Sequence, residues 1–358
     1  MHPNQQQGFP PQGFPPPQGG FPPPGGMPPQ QVGFQNFQPN FGQFVQPQTP
    51  LLSQMDVDEA VKRLRDSMKG LGTNENKLIS VIGTYPPLQM SQIIVAYRNK
   101  YGRSLFDDVK SETSGKFGKL AGALSLTIAE YDVRCLRKAV EGLGTDDECL
   151  LEILIGRTNS DIRFLREEYY RQYAANLVDD IKDDTSGNIR RLYSTLLKGI
   201  RDESNAPRDP NADAEEFYKA GEGRIGTNDN KFITLLCTLP DNHLRQVFDC
   251  YEKKYGHPFE KAISKEFSGQ IKTALKILVS SIRNRSEYIA TLFEKSMKGL
   301  GTDDAMLIRL AVRHRAPYVI EPIKQAYQEK YGKSLAKRIK GDTSGDYCKL
   351  LLACIHES

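Results

Sequence analysis

A short loop is written four times along this chain, and that repetition limits the fold more than any other feature. It reads Lys69-Gly70-Leu71-Gly72-Thr73, Glu141-Gly142-Leu143-Gly144-Thr145, Gly223-Arg224-Ile225-Gly226-Thr227 and Lys298-Gly299-Leu300-Gly301-Thr302. Counted from Gly70, Gly142, Arg224 and Gly299, successive copies lie 72, 82 and 75 residues apart. A period of that length holds several helices per unit and describes a repeat array in which units bury their apolar faces against one another. The longer second interval contains Arg201–Ala212 with Pro207 and Pro210, and reads as a linker between two pairs of repeats.

The first repeat sets the pattern for the rest. Val57, Ala60, Val61, Leu64 and Met68 share one helical face, and Gly70 ends that helix. Thr73 is expected to cap a second helix from Glu75 to about Thr84, with Thr145, Thr227 and Thr302 in the same role. Thr145 with Glu148 fits a capping box. Pro86-Pro87 breaks the chain before a third helix, which runs to Tyr101 and is stopped by Gly102. Ser104 opens a short fourth helix ending near Glu112, and a fifth contains Leu120, Ala123, Leu124 and Ile128. Nothing in the pattern favours strands, so the fold class is all-α, with four repeats of five helices.

Composition divides the chain. Asp56 is the first charged residue, and the stretch before it is rich in Pro, Gly, Gln and Phe, too poor in aliphatic residues to bury a core. Residues 1–52 are therefore expected to be a disordered tail. The repeats are assigned to 53–128, 129–200, 201–286 (with the linker) and 287–358. Net charge is +4 with the signs interleaved, so no basic stripe points to nucleic acid. No apolar run approaches the roughly 20 residues that span a bilayer. The N-terminus lacks the charged-then-apolar pattern of a secretory signal, and a cytoplasmic protein is expected. Cys135, Cys149, Cys237, Cys250, Cys348 and Cys354 form no CxxC pair and read as reduced thiols, with a zinc or disulfide site as the alternative. No nucleophile–base pair, HExxH spacing or phosphate loop is present, so a non-enzyme is expected. His243, near a helix start, and His257, in a turn, read as surface residues.

Each loop has a distant acidic partner beside a Ser-Gly or Thr-Ser-Gly sequence: Glu112, Asp184, Glu266 and Asp342. The separation is 42 residues in the first three repeats and 43 in the fourth, which places one inserted residue near Arg313–Pro317. The chemistry of such a pair is specific. A helix ends with carbonyls that lack partners. Glycines allow the chain to fold back at positive φ, so several carbonyl oxygens converge. Neutral oxygens joined by one carboxylate suit a hard cation such as calcium. A helix–turn–helix junction explains the Gly and the Thr, but not an acid at the same place in four repeats.

The Lys-Gly-Leu-Gly-Thr-Asp/Asn pattern, the acid about 42 residues on and the four units together resemble the annexin family, over residues 53 to 358. The resemblance implies a curved disc of four five-helix repeats, calcium (Ca2+) loops on its convex side, and reversible peripheral binding to acidic phospholipids. It implies a first site from the carbonyls of Met68, Gly70 and Gly72 with Glu112, and a second from Val140, Gly142, Gly144 and Asp184. A third would use Gly221, Arg224, Gly226 and Glu266, and a fourth Met297, Gly299, Gly301 and Asp342. The third departs from the pattern, because Arg224 replaces the first glycine, would strain a left-handed backbone and carries a repelling charge.

Three carbonyls and one carboxylate do not fill the roughly 6–8 oxygens calcium takes. Lipid phosphate can complete the shell, which couples the two ligands. Lys69 and Lys298 are headgroup candidates, or simply solvated loop charges. Expected partners are acidic, phosphatidylserine-type membranes, with roles in membrane organisation, vesicle aggregation or trafficking. The rival is a calcium-independent helical scaffold. A monomer in solution is expected, with oligomers possible on the membrane. The tail is either a spacer or a self-association and partner segment built on Phe9, Phe14, Phe21, Phe34, Phe37, Phe41 and Phe44.

Overall fold

The structure is a computed structural model and describes residues 49–70 and 72–357. The tail expectation for 1–52 falls almost wholly outside them. Among the described residues there are 20 helices and no strand, five per repeat. Repeat 1 comprises α1 (Gln54–Ser67), α2 (Glu75–Ile82), α3 (Pro87–Tyr101), α4 (Leu105–Glu112) and α5 (Gly115–Leu124). Repeat 2 comprises α6 (Ile128–Ala139), α7 (Asp147–Leu154), α8 (Asn159–Tyr173), α9 (Leu177–Asp184) and α10 (Gly187–Leu196). Repeat 3 comprises α11 (Pro210–Ala220), α12 (Asp229–Thr238), α13 (Asp241–Tyr255), α14 (Phe259–Glu266) and α15 (Gly269–Arg283). Repeat 4 comprises α16 (Arg285–Ser296), α17 (Asp304–Arg313), α18 (Pro317–Tyr331), α19 (Leu335–Asp342) and α20 (Gly345–Cys354). No single described helix is long and apolar enough to cross a membrane.

Local chemistry explains most of the boundaries. The periodic face of α1 is buried through Val57, Ala60, Val61 and Leu64. Pro87, Pro210 and Pro317 stand in the first helical turn, where no amide hydrogen is needed. Gly102, Gly256 and Gly332 close the third helix of their repeats in the left-handed conformation. Repeat 2 places Ala174 there at φ 51°. Ile128 opens α6 rather than extending α5. His243 is buried at the start of α13 and meets Asp213 at 2.7 Å, so it is a core group and not a surface one. His257 is partly buried and meets Glu222 at 3.1 Å. The six cysteines are free thiols.

The pairing of repeats differs from the order along the chain. One apolar core joins repeats 1 and 4, and a second joins repeats 2 and 3. The linker therefore lies within the second pair and does not divide two pairs. It is also shorter than expected, because α11 begins at Pro210. Arg201 pins it down by donating to Leu239 O at 2.6 Å and pairing with Asp241 at 2.9 Å. The two cores meet at buried ions: Arg313 of α17 reaches Asp132 of α6, and Arg309 of α17 reaches Glu152 of α7.

Candidate metal sites

Each glycine loop joins the first and second helices of its repeat. The first helix ends at a cap residue, Met68, Val140, Gly221 or Met297. In repeats 1, 2 and 4 the chain then turns through two glycines with positive φ. Gly70, Gly142 and Gly299 have φ of 106°, 107° and 110°, and Gly72, Gly144 and Gly301 have 82°, 85° and 92°. An added Cβ at any of these six would meet nothing within 4 Å, so the backbone conformation alone demands glycine.

The threonines do not cap the second helices. The caps are Asn74, Asp146, Asn228 and Asp303, whose side chains accept from the amides of Lys77, Cys149, Lys231 and Met306. Their own amides close the loops by donating to Ser67 O, Ala139 O, Ala220 O and Ser296 O at 2.7–2.8 Å. The capping box expected at Thr145 and Glu148 is absent; the boxes are Thr127 with Glu130 and Thr158 with Asp161. Asx side chains suit the cap better than Thr here.

That frees the threonines to join loop and acid. Thr73 Oγ1 donates to Glu112 O and Thr145 Oγ1 to Asp184 O, each at 2.8 Å. Thr227 Oγ1 donates to the carboxylate Oε2 of Glu266 at 2.5 Å, and Thr302 Oγ1 to Oδ2 of Asp342 at 3.2 Å. All four acids are therefore brought to their loops. Each is the last residue of its repeat's fourth helix, α4, α9, α14 or α19. A carboxylate there faces the negative end of the helix dipole, an unfavourable position, which in repeat 4 Arg338 offsets by pairing with Asp342. A cation bound at the loop offsets it likewise.

The donor set fits calcium on two further observations. Asp184 Oδ2 is buried without a hydrogen-bond partner. The Glu266 side chain lies over Gly221, so a Cβ there would come within 3.2 Å of Glu266 Cγ. Among the described residues no three His, Cys, Asp or Glu side chains gather into a metal cluster. Sites built of backbone oxygens and a single carboxylate form no such cluster.

The third and fourth loops depart from the first two. Among the described residues the non-glycines with positive φ are Ala174 and His356, so Arg224 escapes the strain expected of it. The reason is length: α11 ends at Ala220 and its cap bond comes from Asn228, one residue more than between Ser67 and Asn74. In the fourth repeat, Arg338 of α19 donates to both Met297 O and Asp342 Oδ1. The chain from Gly299 to the start of α18 is also one residue longer than from Gly70 to α3, which accounts for the acid spacing of 43.

Two features escaped the sequence reading. Leu143, Ile225 and Leu300, between the loop glycines or beside them, are 108%, 103% and 111% exposed. The recurring apolar residue in Gly-Leu-Gly was the available signal. Arg338 was the other; its counterparts four residues before the acid are Asp108 and Asp180, and the sign change was legible. Lys69 and Lys298 are exposed.

Fold and loops together define a class: helical repeat proteins that present cation loops between helices. Comparison with known proteins specifies it. The annexin family model matches residues 59–124, 131–196, 212–278 and 288–354. Annexin A4 of Homo sapiens is 45% identical over 296 residues, 82% of this chain and 92% of that protein. Among solved structures, annexin III superposes with a TM-score of 0.82 at 34% identity, covering 86% of this chain and 96% of its own. A calcium-bound annexin (Sm)1 does so with a TM-score of 0.78 at 28% identity, covering 90% and 98%. The chain belongs to the annexin family, whose members bind phospholipid membranes in a calcium-dependent way.

Proposed function

We propose that this chain binds phosphatidylserine-type bilayers reversibly when calcium rises in the cytoplasm, and through that contact organises, aggregates or traffics membranes. The loop carbonyls and acids assigned above hold the metal. The observation that carries the reading is the join of a glycine loop to an acid at a helix C-terminus in all four repeats.

Threonine ties the acid-bearing helix end to the loop, and in repeats 1, 2 and 4 the paired positive-φ glycines fold the chain back between the two helices. In repeats 1 and 2 the threonine donates to the backbone carbonyl of the acid rather than to its carboxylate. Bound calcium supplies a shared charge to which lipid phosphate oxygens add, because three carbonyls and a carboxylate leave its shell incomplete. Several weak loops then act together on one surface. Leu143, Ile225 and Leu300 stand free at the tips, where they enter the headgroup–acyl boundary. Lys69 and Lys298 add attraction for anionic headgroups, about 1 kcal/mol each near the surface.

Co-sedimentation with phosphatidylserine vesicles across a calcium series tests the reading. Binding reversed by a chelator, and abolished by Glu112→Gln, Asp184→Asn and Asp342→Asn together, is the expected result. Unchanged binding in that triple variant overturns the site assignment, and binding that ignores calcium favours a helical scaffold.

A further inference from the structure

We infer that repeat 4 carries its own competing cation: the Arg338 guanidinium occupies the place that calcium takes in the other repeats. The inference rests on the calcium reading of that site.

Repeat 4 reproduces an ion-pair geometry of repeats 1 and 2 with the charges exchanged. Repeats 1 and 2 place an arginine three residues before the first-helix cap and an aspartate one turn before the loop acid. Arg65 meets Asp108 at 3.5 Å, and Arg137 meets Asp180 at 2.9 Å. A tyrosine from the third helix donates to the same aspartate: Tyr97 to Asp108 at 2.7 Å and Tyr169 to Asp180 at 2.6 Å. Repeat 4 keeps the arrangement and exchanges the ions. Glu294 stands on α16 where the arginines were, Arg338 stands on α19 where the aspartates were, and Tyr327 donates to Glu294.

The exchange preserves the ion pair but moves the cation. In repeats 1 and 2 the arginine sits on the first helix and the site end of the fourth helix is acidic. In repeat 4 the guanidinium lies one helical turn from Asp342. Its Nε donates to Glu294 at 3.3 Å, Nη1 to Asp342 Oδ1 at 2.7 Å, and Nη2 to Met297 O. The last two acceptors are half of the ligand set assigned to the fourth site. Arg338, Glu294 and Asp342 are each only 17–18% exposed, so solvent screens this cation weakly. The fork geometry of guanidinium matches a carboxylate and a carbonyl together. Calcium entry then requires Arg338 to leave both oxygens and to remain near a doubly charged ion. Repeat 3 has Ala262 at the same position, and its nearby Lys265 pairs with Glu222 at 2.6 Å. The fourth loop thus already holds a cation of the protein's own, which calcium must displace.

Isothermal calorimetry of calcium alone, on the full chain, tests this. Arg338→Leu is expected to bind calcium at repeat 4 at least ~10-fold more tightly, and Asp342→Asn in that background to remove the gain. Arg338→Leu leaves Glu294 without its arginine, so Glu294→Gln/Arg338→Leu is measured in parallel, with thermal unfolding to verify the fold. Either folded variant gaining affinity supports the inference. If both titrate like the natural chain while Asp342→Asn loses a calcium, the site stands and the competing cation is refuted. If Asp342→Asn also changes nothing, the calcium reading of repeat 4 falls with it.

Discussion

Arg313 of repeat 4 and Asp132 of repeat 2 face each other at 3.0 Å with side chains 1% and 0% exposed. Arg157 pairs with the same aspartate, also at 0% exposure. One carboxylate thus holds two guanidinium groups where the two apolar cores meet. Breaking a buried pair by removing one partner strands charge in a low dielectric. Asp132→Ala is expected to cost about 3–5 kcal/mol, read as a drop in thermal unfolding midpoint. The exposed pair Lys330 with Glu287, 39% and 47% exposed, is the control; Glu287→Gln should change stability by about 1 kcal/mol or less.

The same junction makes stability sensitive to acid. His314 is fully buried, and burial together with Arg313 and Arg285 pushes its pKa well below the usual imidazole value. The folded chain keeps it neutral while the unfolded chain takes up a proton below about pH 6.5. The unfolded state therefore binds more protons as pH falls, and stability falls with it. Above that pH both states are neutral at this group and no slope arises from it. His314→Gln should flatten the slope of unfolding free energy between about pH 6.5 and 5, measured by denaturant titration. An unchanged slope would assign it to other groups.

Element types and the acid positions were legible in the sequence, because helical periodicity, proline breaks and a fixed spacing are local or repeated signals. Tyr101, Gly102, Ser104 and Glu112 fall at the boundaries expected of them. The caps were misassigned by one residue. Thr73 and Asn74 are both capping types, and the choice depends on Thr73 being drawn to Glu112, a contact 39 residues away. The pairing of repeat 1 with repeat 4 was illegible for the same reason: chain order does not encode which cores merge. Arg338 lies outside the repeated glycine motif, and its role depends on contacts with Met297 O and Asp342 that only the folded chain brings together.

Backbone strain gives a further test. Gly142 has φ of 107° and open space around a would-be Cβ. Gly142→Ala therefore clashes with nothing, and its whole effect is conformational, about 1–3 kcal/mol for a non-glycine residue held there. The loop should relax away from this turn and release its carbonyls from convergence. Calcium binding at repeat 2 is expected to weaken by about 10-fold or more in calorimetry, with helix content by circular dichroism retained. Gly341→Ala, at a glycine without positive φ and with nothing within 4 Å, should leave binding unchanged.

The loop tips separate lipid affinity from calcium affinity. Leu143, Ile225 and Leu300 touch little of the protein, being fully exposed, so their replacement removes no core packing. Burying one such side chain in an apolar phase stabilises by about 1.5–3 kcal/mol, and partial entry into the bilayer boundary realises a fraction of that. Leu143→Ser, Ile225→Ser and Leu300→Ser together should lower vesicle affinity by about 10-fold or more at fixed calcium. Calcium binding in the absence of lipid should remain that of the natural chain, since the carbonyls and acids are untouched. Vesicle affinity equal to that of the natural chain would show that the tips stay in water and that headgroup contact alone holds the protein to the surface.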